Sequence, residues 1–397
     1  MRTFTFKSLF LTVLFVLLGS TAILAADDGL ITRQITLKLD EAGTLPDRIA
    51  VSRKNLITNL KIVGKINGTD LKFIREMAGR DFNGEKTDGK LSILDLSEAK
   101  IVAGGDAYVR FSENYYTSND KLGDYVFYGC SGLTSLTIPS GVTSIGNYAF
   151  ADCSGLTSLT LPSNVTSIGW SAFSGCSGLT SLTIPSNVTS IGGYAFEGCS
   201  GLTSLTLPSS VTKIGCYALS SCIGLTSLTL PSSVTEIGEH AFLSCRGLTN
   251  FTIPSGVTKI GGAAFFCCYG LISLTLPSSV TAIGSEAFKH CSGLTSIYVY
   301  MEKLPETGSN LFLGCDEKNC TVYVPKGTGD AYFRSAEFGY FYNIVEFDAT
   351  GIDKVATSTN AKEVSRYSAN GQRLSAPAKG LNIVKYSDGS VKKVVVL

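Results

Sequence analysis

Apolar residues recur every 23 residues across the central part of the chain. A leucine keeps this spacing from Leu133 to Leu294, and an aromatic residue keeps it from Phe150 to Phe288, with Leu219 in the one gap. Cysteine follows the same period at Cys130, Cys153, Cys176, Cys199, Cys222, Cys245, Cys268 and Cys291. Self-similarity at a fixed period of this size is typical of a solenoid, in which one supersecondary unit stacks on the next.

Within one repeat, the pattern predicts a short strand, a bend and a turn. The spacing Leu-x-x-Leu-x-Leu/Ile-Pro, as in residues 133–139, alternates over its last positions and indicates the strand. Val-Thr-x-Ile-Gly, as in residues 142–146, is again β-branched and alternating, and its glycine permits a bend. Tyr-Ala-Phe-x-x-Cys, as in residues 148–153, spaces apolar residues three apart, which suits one helical or 3₁₀ turn. Such coils bury their apolar side chains only by stacking, at roughly 4.8 Å per coil.

The whole repeat, G-L-T-S-L-T-L-P-S-S-V-T-x-I-G-x-x-A-F-x-x-C, resembles the leucine-rich repeat of the BspA-like bacterial surface proteins. The resemblance runs almost unbroken from about Phe127 to Tyr300. It implies a right-handed leucine-rich-repeat solenoid, built mainly of short parallel β-strands with 3₁₀ or helical turns. It also implies an exported protein that binds components of a host or of neighbouring cells.

The remaining segments differ in composition from this regular array, which we place at residues 127–313. Residues 1–26 have basic residues, a short apolar run and small residues before Asp27, as expected of a secretory signal peptide. No stretch is apolar over the ~18 residues that a membrane span needs, so we expect no transmembrane segment. Residues 27–126 are more charged and repeat the strand spacing twice, which favours an irregular N-terminal cap that includes a helix at 71–78 capped by Asp70. Residues 314–348 are rich in aromatic residues and suit a C-terminal cap.

The last segment, residues 349–397, is predicted to be a small β-rich module. Asp388-Gly389 lies between two alternating apolar runs, a pattern that favours a β-hairpin. The stretches at 370–374, 379–384 and 392–396 resemble the end of a type IX secretion C-terminal sorting domain. This resemblance implies passage through an outer membrane and attachment to the cell surface. The alternative is a small β module that simply ends the chain.

The cysteine pattern predicts buried thiols for the eight-membered ladder. Equivalent Cα atoms of stacked coils lie about 4.8 Å apart with parallel Cβ vectors, whereas a disulfide needs converging Cβ atoms about 3.8 Å apart. Cys315 and Cys320 lie outside the regular array and are the pair best placed to form a disulfide. A one-dimensional row of thiols also does not form the tetrahedral cluster that zinc requires, so we expect no metal and no cofactor.

Catalytic residues are scarce in this sequence. Its two histidines, His240 and His290, fall at variable positions of the repeat and are expected to face solvent. The group Glu236, Glu239 and His240 lacks the spacing of a hydrolytic metal site, and no serine lies in Gly-x-Ser-x-Gly. We therefore expect a protein that is not an enzyme.

Two surfaces of the predicted solenoid are candidates for binding. The strands present serine and threonine outward, and these hydroxyls either bond to one another or offer donors and acceptors to an extended partner. Aromatic residues fall at or next to one corner in successive coils, at Tyr148, Trp170, Tyr194 and Tyr217, followed by His240. They either stack on sugar rings or a protein partner, or merely cover the Ala-Phe turn beneath them.

Charge excludes one class of partner. The formal net charge is +1, and only nine charged side chains lie in residues 130–300, so there is no basic stripe for nucleic acid. Our hypothesis is a secreted or cell-surface protein that mediates non-catalytic adhesion to a protein or glycan ligand of a host or bacterial surface. The alternative is a structural spacer of the cell envelope with no specific ligand on its repeats.

Overall fold

The computed structural model describes residues 29–348 and, further on, residues 363–368, 373–374, 376, 380–386 and 391–396. The predicted signal peptide lies outside these residues. Within them, the chain forms a leucine-rich-repeat solenoid of short parallel strands, which confirms the predicted fold class. None of the described helices is long and apolar enough to cross a membrane.

The N-terminal region contains most of the helical residues. Its elements are β1 (Ile35–Leu39), α1 (Leu45–Arg48), α2 (Val51–Lys54), β2 (Asn59–Ile66), α3 (Gly68–Met77), β3 (Ile93–Ile101), β4 (Gly104–Arg110), β5 (Asn114–Thr117) and β6 (Lys121–Leu122). The helix predicted at 71–78 is α3, but its N-cap is Asn67. Asp70 instead closes a capping box, since its carboxylate accepts a hydrogen bond from Asn67 N at 2.9 Å.

The repeats contribute two short strands to most coils. In chain order these are β7 (Ser135–Thr137), β8 (Ser144–Ile145), β9 (Ser158–Thr160), β10 (Ser167–Ile168), β11 (Ser181–Thr183), β12 (Ser190–Ile191), β13 (Ser204–Thr206), β14 (Lys213–Ile214), β15 (Glu236–Ile237), β16 (Asn250–Thr252), β17 (Lys259–Ile260), β18 (Ser273–Leu276), β19 (Ala282–Ile283), β20 (Ser296–Val299) and β21 (Glu306–Thr307). The first face of the solenoid carries β1, β2, β3, β7, β9, β11, β13, β16, β18 and β20. The second face carries β6, β8, β10, β12, β14, β15, β17, β19 and β21.

The second face corrects the prediction of one strand per coil. The Val-Thr-x-Ile segment also pairs with its neighbours in parallel, as Ser144 does with Lys121 and with Ser167. Threonine side chains strengthen this stacking, because Thr166 Oγ1 donates to the backbone oxygen of Thr143 at 3.2 Å. A β-branched, alternating segment can form a strand once an identical segment lies beside it.

The third face is formed by the Ala-Phe turns. Within a turn, Cys153 N donates to Phe150 O at 3.1 Å, so the predicted 3₁₀-type bond is present. However, Tyr148 N and Phe150 N donate to Trp170 O and Ala172 O of the next coil, at 2.9 and 2.8 Å. The turn is therefore a rung of a hydrogen-bonded ladder rather than a continuous helix, and all three faces are bonded from coil to coil.

The interior is a set of parallel side-chain ladders. Stacked phenylalanine rings run through it, with Phe173 5.4 Å from Phe196 and Phe265 5.3 Å from Phe288. The repeat cysteines from Cys130 to Cys291 are buried beside them. A buried ladder of this kind distributes stability over neighbouring coils.

Aromatic side chains close the C-terminal end of this core. The elements there are β22 (Thr321–Pro325), α4 (Gly329–Phe333), a 3₁₀ turn (Phe338–Tyr340) and β23 (Asn343–Phe347), with β22 and β23 extending the first face. The rings of Phe338 and Phe341 lie 5.4 and 5.1 Å from that of Phe312, the last in the phenylalanine ladder. The apolar interior is thus covered before residue 348.

A separate antiparallel sheet follows. It contains β24 (Glu363–Ser368), β25 (Arg373–Leu374), β26 (Gly380–Tyr386) and β27 (Val391–Val396), in the order β25-β24-β26-β27. β26 pairs with β27 in antiparallel register, as the Asp388-Gly389 pattern predicts.

Candidate ligand-binding surface

Six aromatic side chains form a row along one edge of the third face. We call this set the aromatic row: Tyr125, Tyr148, Trp170, Tyr194, Tyr217 and His240. All except Trp170 occupy one position of the repeat, where the backbone is left-handed, with φ of 54° at Tyr148 and 57° at Tyr194. Trp170 comes one residue before the equivalent position, which Ser171 occupies with φ of 52°.

Most rings of the row stack on one another. Tyr125 and Tyr148 are 4.9 Å apart and within 6° of parallel. Tyr217 lies 4.6 Å from Tyr194 and 4.3 Å from His240, again nearly parallel. Because each ring covers its neighbour's face, this part of the row offers ring edges and hydroxyl groups to solvent.

Trp170 interrupts the stack and offers a more open ring. Its side chain is 47% exposed, and its indole is tilted by 38° from the ring of Tyr194, at 4.9 Å. The indole lies over Gly193, where a Cβ would come within 2.7 Å of it. The backbone is fixed from the preceding coil, since Trp170 N donates to Asn147 Oδ1 at 2.8 Å.

Two tyrosine hydroxyls of the row, those of Tyr125 and Tyr194, have a raised pKa and remain protonated at neutral pH. Desolvation, reinforced by the neighbouring Tyr217, raises the pKa of Tyr194. Desolvation also raises the pKa of Tyr125, with Tyr115 as the next contribution. These hydroxyls can therefore donate hydrogen bonds to a ligand as well as accept them.

A hairpin that the sequence did not predict covers the start of the row. It consists of β4 and β5, within the region interpreted as an irregular cap. The rings of Phe111 and Tyr115 lie 4.7 and 5.0 Å from that of Tyr125. The paired aromatics Tyr115 and Tyr116 were the one sequence feature that could have indicated an additional packed strand.

Comparisons with known proteins agree with this architecture. The BspA type Leucine rich repeat region family matches residues 120–245 and 212–334, in six copies. Together these ranges cover more than half of the chain. The chain belongs to this family.

Solved structures of bacterial leucine-rich-repeat proteins are similar to this BspA-type chain. A leucine-rich repeat protein from Bacteroides ovatus is 28% identical, with a TM-score of 0.51, over 66% of this chain and 62% of that one. A leucine rich cell surface protein from Faecalibacterium prausnitzii is 27% identical over 60% of this chain and 85% of that one, with a TM-score of 0.32. A search of curated proteins found no match.

The two histidines of the BspA-type chain are expected to face solvent, and in the structure both are only partly exposed. His240 is half-buried because it stacks on Tyr217, and His290 is half-buried with its ring edge-on to Phe266 at 5.5 Å. Glu236 pairs with Lys213 at 2.9 Å. Among the described residues, no group of three histidine, cysteine or acidic side chains is arranged to hold a metal ion.

All twelve cysteines are free thiols in the structure. The repeat thiols are buried, and from Cys153 onward they donate to the preceding coil, as Cys199 Sγ does to Phe173 O at 3.1 Å. Cys315 and Cys320, the pair predicted to form a disulfide, are also buried and unbonded to each other. Burial raises the pKa of both thiols to about 12.

Proposed function

We propose that this BspA-type protein is exported, displayed at the cell surface, and recognises a protein or glycan of a host or neighbouring cell without catalysis. The aromatic row is the contact surface in this proposal. The observation that supports it is the alignment of six half-exposed or exposed aromatic rings at one edge of successive coils. Tyrosine and tryptophan are the side chains most often found as energetic anchors of interfaces.

The dimensions and chemistry of the row suit an elongated ligand. Six coils at strand spacing extend over about 24 Å, which a short peptide or a glycan chain can follow. Trp170 provides an apolar ring, and the neighbouring Tyr194 provides a protonated hydroxyl beside it. The stacking also restricts the tyrosine rotamers before binding, so little side-chain entropy is lost on contact.

The proposal is tested with two matched double variants. Trp170→Ala with Tyr194→Ala removes the open ring and its neighbour. Ile223→Ala with Ile272→Ala is the control, since these side chains are similarly exposed, at 49% and 47% against 47% for Trp170, and lie outside the row. Binding of the purified protein to fixed epithelial cells and to intact bacteria is measured by flow cytometry, with circular dichroism as the check on folding.

We expect the row variant to bind at least about tenfold more weakly than the native protein, and the control to bind like it. Equal binding by both double variants would remove the row as the contact surface. That result would favour the spacer alternative, in which the ends of the molecule make the contacts.

A further inference from the structure

An open cleft of about 440 Å³ lies between the β4–β5 hairpin and the second face. Polar and aromatic side chains line it: Tyr116, Ser118, Asp124, Ser144, Asn147 and Ser167. It adjoins the aromatic row, because Asp124 and Asn147 directly precede Tyr125 and Tyr148 in the chain. Its volume falls within the range of small-molecule binding sites.

The hairpin wall of the cleft is firmly anchored. Tyr108 is buried, and its hydroxyl donates to Asp124 O at 2.8 Å. Gly123 leaves the space for this contact, since a Cβ there would lie 2.3 Å from the Tyr108 oxygen. On β5, Tyr115 packs against the row while Tyr116 remains 57% exposed at the cleft. The hairpin wall is therefore fixed relative to the second face.

The polar floor is also held in one orientation. Asp124 Oδ1 accepts from Asn147 N at 2.8 Å, and Asp124 Oδ2 accepts from Asn147 Nδ2 at 3.1 Å. Asn147 Oδ1 in turn accepts a hydrogen bond from Trp170 N at 2.8 Å. A carboxylate has about four lone-pair positions, so Asp124 can still accept from ligand hydroxyls. Ser144 and Ser167 add hydroxyls from adjacent strands of the second face.

We propose that this cleft binds a short neutral oligosaccharide. This proposal rests on the surface recognition proposed above and specifies a glycan as the ligand class. Tyr116 stacks on the C–H face of one sugar ring, and Asp124, Asn147 and the serines bond its hydroxyls. The charged groups that line the cleft are Lys121 and Asp124, of opposite sign, so the lining does not select an anion or a cation. The hydroxyl and amide lining matches the repeated hydroxyls of a sugar.

The probes are neutral disaccharides and trisaccharides of glucose, galactose and mannose, titrated into the full purified protein by calorimetry. Tyr116→Ala removes the stacking ring, Tyr116→Trp preserves it, and Ser144→Trp fills the cleft. Tyr342→Ala is the matched control, because Tyr342 is 68% exposed and lies at the opposite end of the solenoid. The Kd of the best probe is expected to rise at least about tenfold in Y116A and to stay within about twofold in Y116W and Y342A. S144W is expected to abolish binding.

The glycan proposal is overturned if no probe binds at millimolar concentration, or if the probe binds Y116A and S144W as well as it binds the native protein. Its failure is distinguishable from failure of the proposed function. Loss of cell binding in the Trp170 and Tyr194 double variant, with no sugar bound, would retain the row and exclude the cleft. Sugar binding that depends on Tyr116, with cell binding unchanged in the row variant, would retain the cleft and exclude the row.

Discussion

At the scale of single residues, the repeat cysteine combines small size with a hydrogen-bond donor. The backbone oxygen of Phe173 accepts from Cys176 N at 3.1 Å and from Cys199 Sγ of the next coil, also at 3.1 Å. Both lone pairs of a buried carbonyl are thus used, which a leucine or valine at this position could not achieve. The sequence predicted buried thiols, but the bond to the preceding coil becomes visible only once the coils are stacked.

These thiols are predicted to resist alkylation in the folded protein. Burial raises the pKa of Cys153 and Cys199 well above the usual value of a thiol, so the reactive thiolate is scarce at pH ~8. In native protein treated with iodoacetamide, we expect label on the exposed Cys216 and the half-buried Cys267, and not on the ten buried cysteines. Peptide mass spectrometry measures the label at each site.

A denatured sample without reductant is the control, because all twelve cysteines should then react. Native labelling of the ladder would contradict its burial. Failure of Cys315 and Cys320 alone to react in the denatured sample would show that they form the disulfide predicted from their spacing.

At the scale of elements, the third face depends on a left-handed residue in every coil. Tyrosine, serine, histidine, alanine and glutamate all occupy this position, so residue type gave no indication of it. A second left-handed position carries glycine in four coils, at Gly129, Gly175, Gly198 and Gly314, and only there did the residue type indicate a left-handed backbone. The sequence pattern also did not predict the two-residue strands of the second face. These strands are defined by their pairing with the adjacent coil, which the residues of one repeat do not reveal.

The left-handed position predicts different outcomes for two adjacent buried alanines. Ala263 has φ of 50°, whereas Ala264 is not in the left-handed region. Ala263→Gly relieves roughly 1–2 kcal/mol of backbone strain. This gain offsets the additional backbone entropy that glycine loses on folding and the loss of the buried methyl group. We expect its free energy of unfolding to change by less than about 0.5 kcal/mol. Ala264→Gly has no strain to relieve and should be less stable by about 1.5 kcal/mol.

Urea denaturation followed by circular dichroism measures both variants. Equal destabilisation by the two glycines would mean that residue 263 carries no strain, and that the turns of the third face are not held in a left-handed conformation.

At the scale of the whole molecule, sequence periodicity predicted the solenoid because each apolar position has the same environment in every coil. It also predicted that Tyr148, Tyr194 and Tyr217 align along one corner of the solenoid. Sequence periodicity could not predict the cleft. Tyr116 precedes the regular array and lies near Ser144 and Ser167 only because an irregular hairpin packs against the second face. Periodicity describes what neighbouring coils share, so it carries no information on the β4–β5 hairpin, which occurs only once in the described solenoid.

The terminal segment carries the remaining prediction. Because Tyr332, Phe338 and Phe341 are buried at the C-terminal end of the solenoid, a chain ending at Asp348 keeps its cap and should fold. Residues 349–397, which include the antiparallel sheet β24–β27, can therefore be removed to test secretion rather than stability. In a bacterium with an outer membrane and a type IX system, the full chain should be accessible to protease on intact cells, and the truncated chain should not.

Mass spectrometry of the mature protein completes this experiment. A C-terminus near Phe347 in the full chain would support the sorting proposal, because the signal would have been removed after passage through the membrane. Equal accessibility of the two chains, with Leu397 retained, would contradict it. The antiparallel sheet would then be an ordinary module of the exported protein, and its own surface would become a candidate for partner binding alongside the row and the cleft.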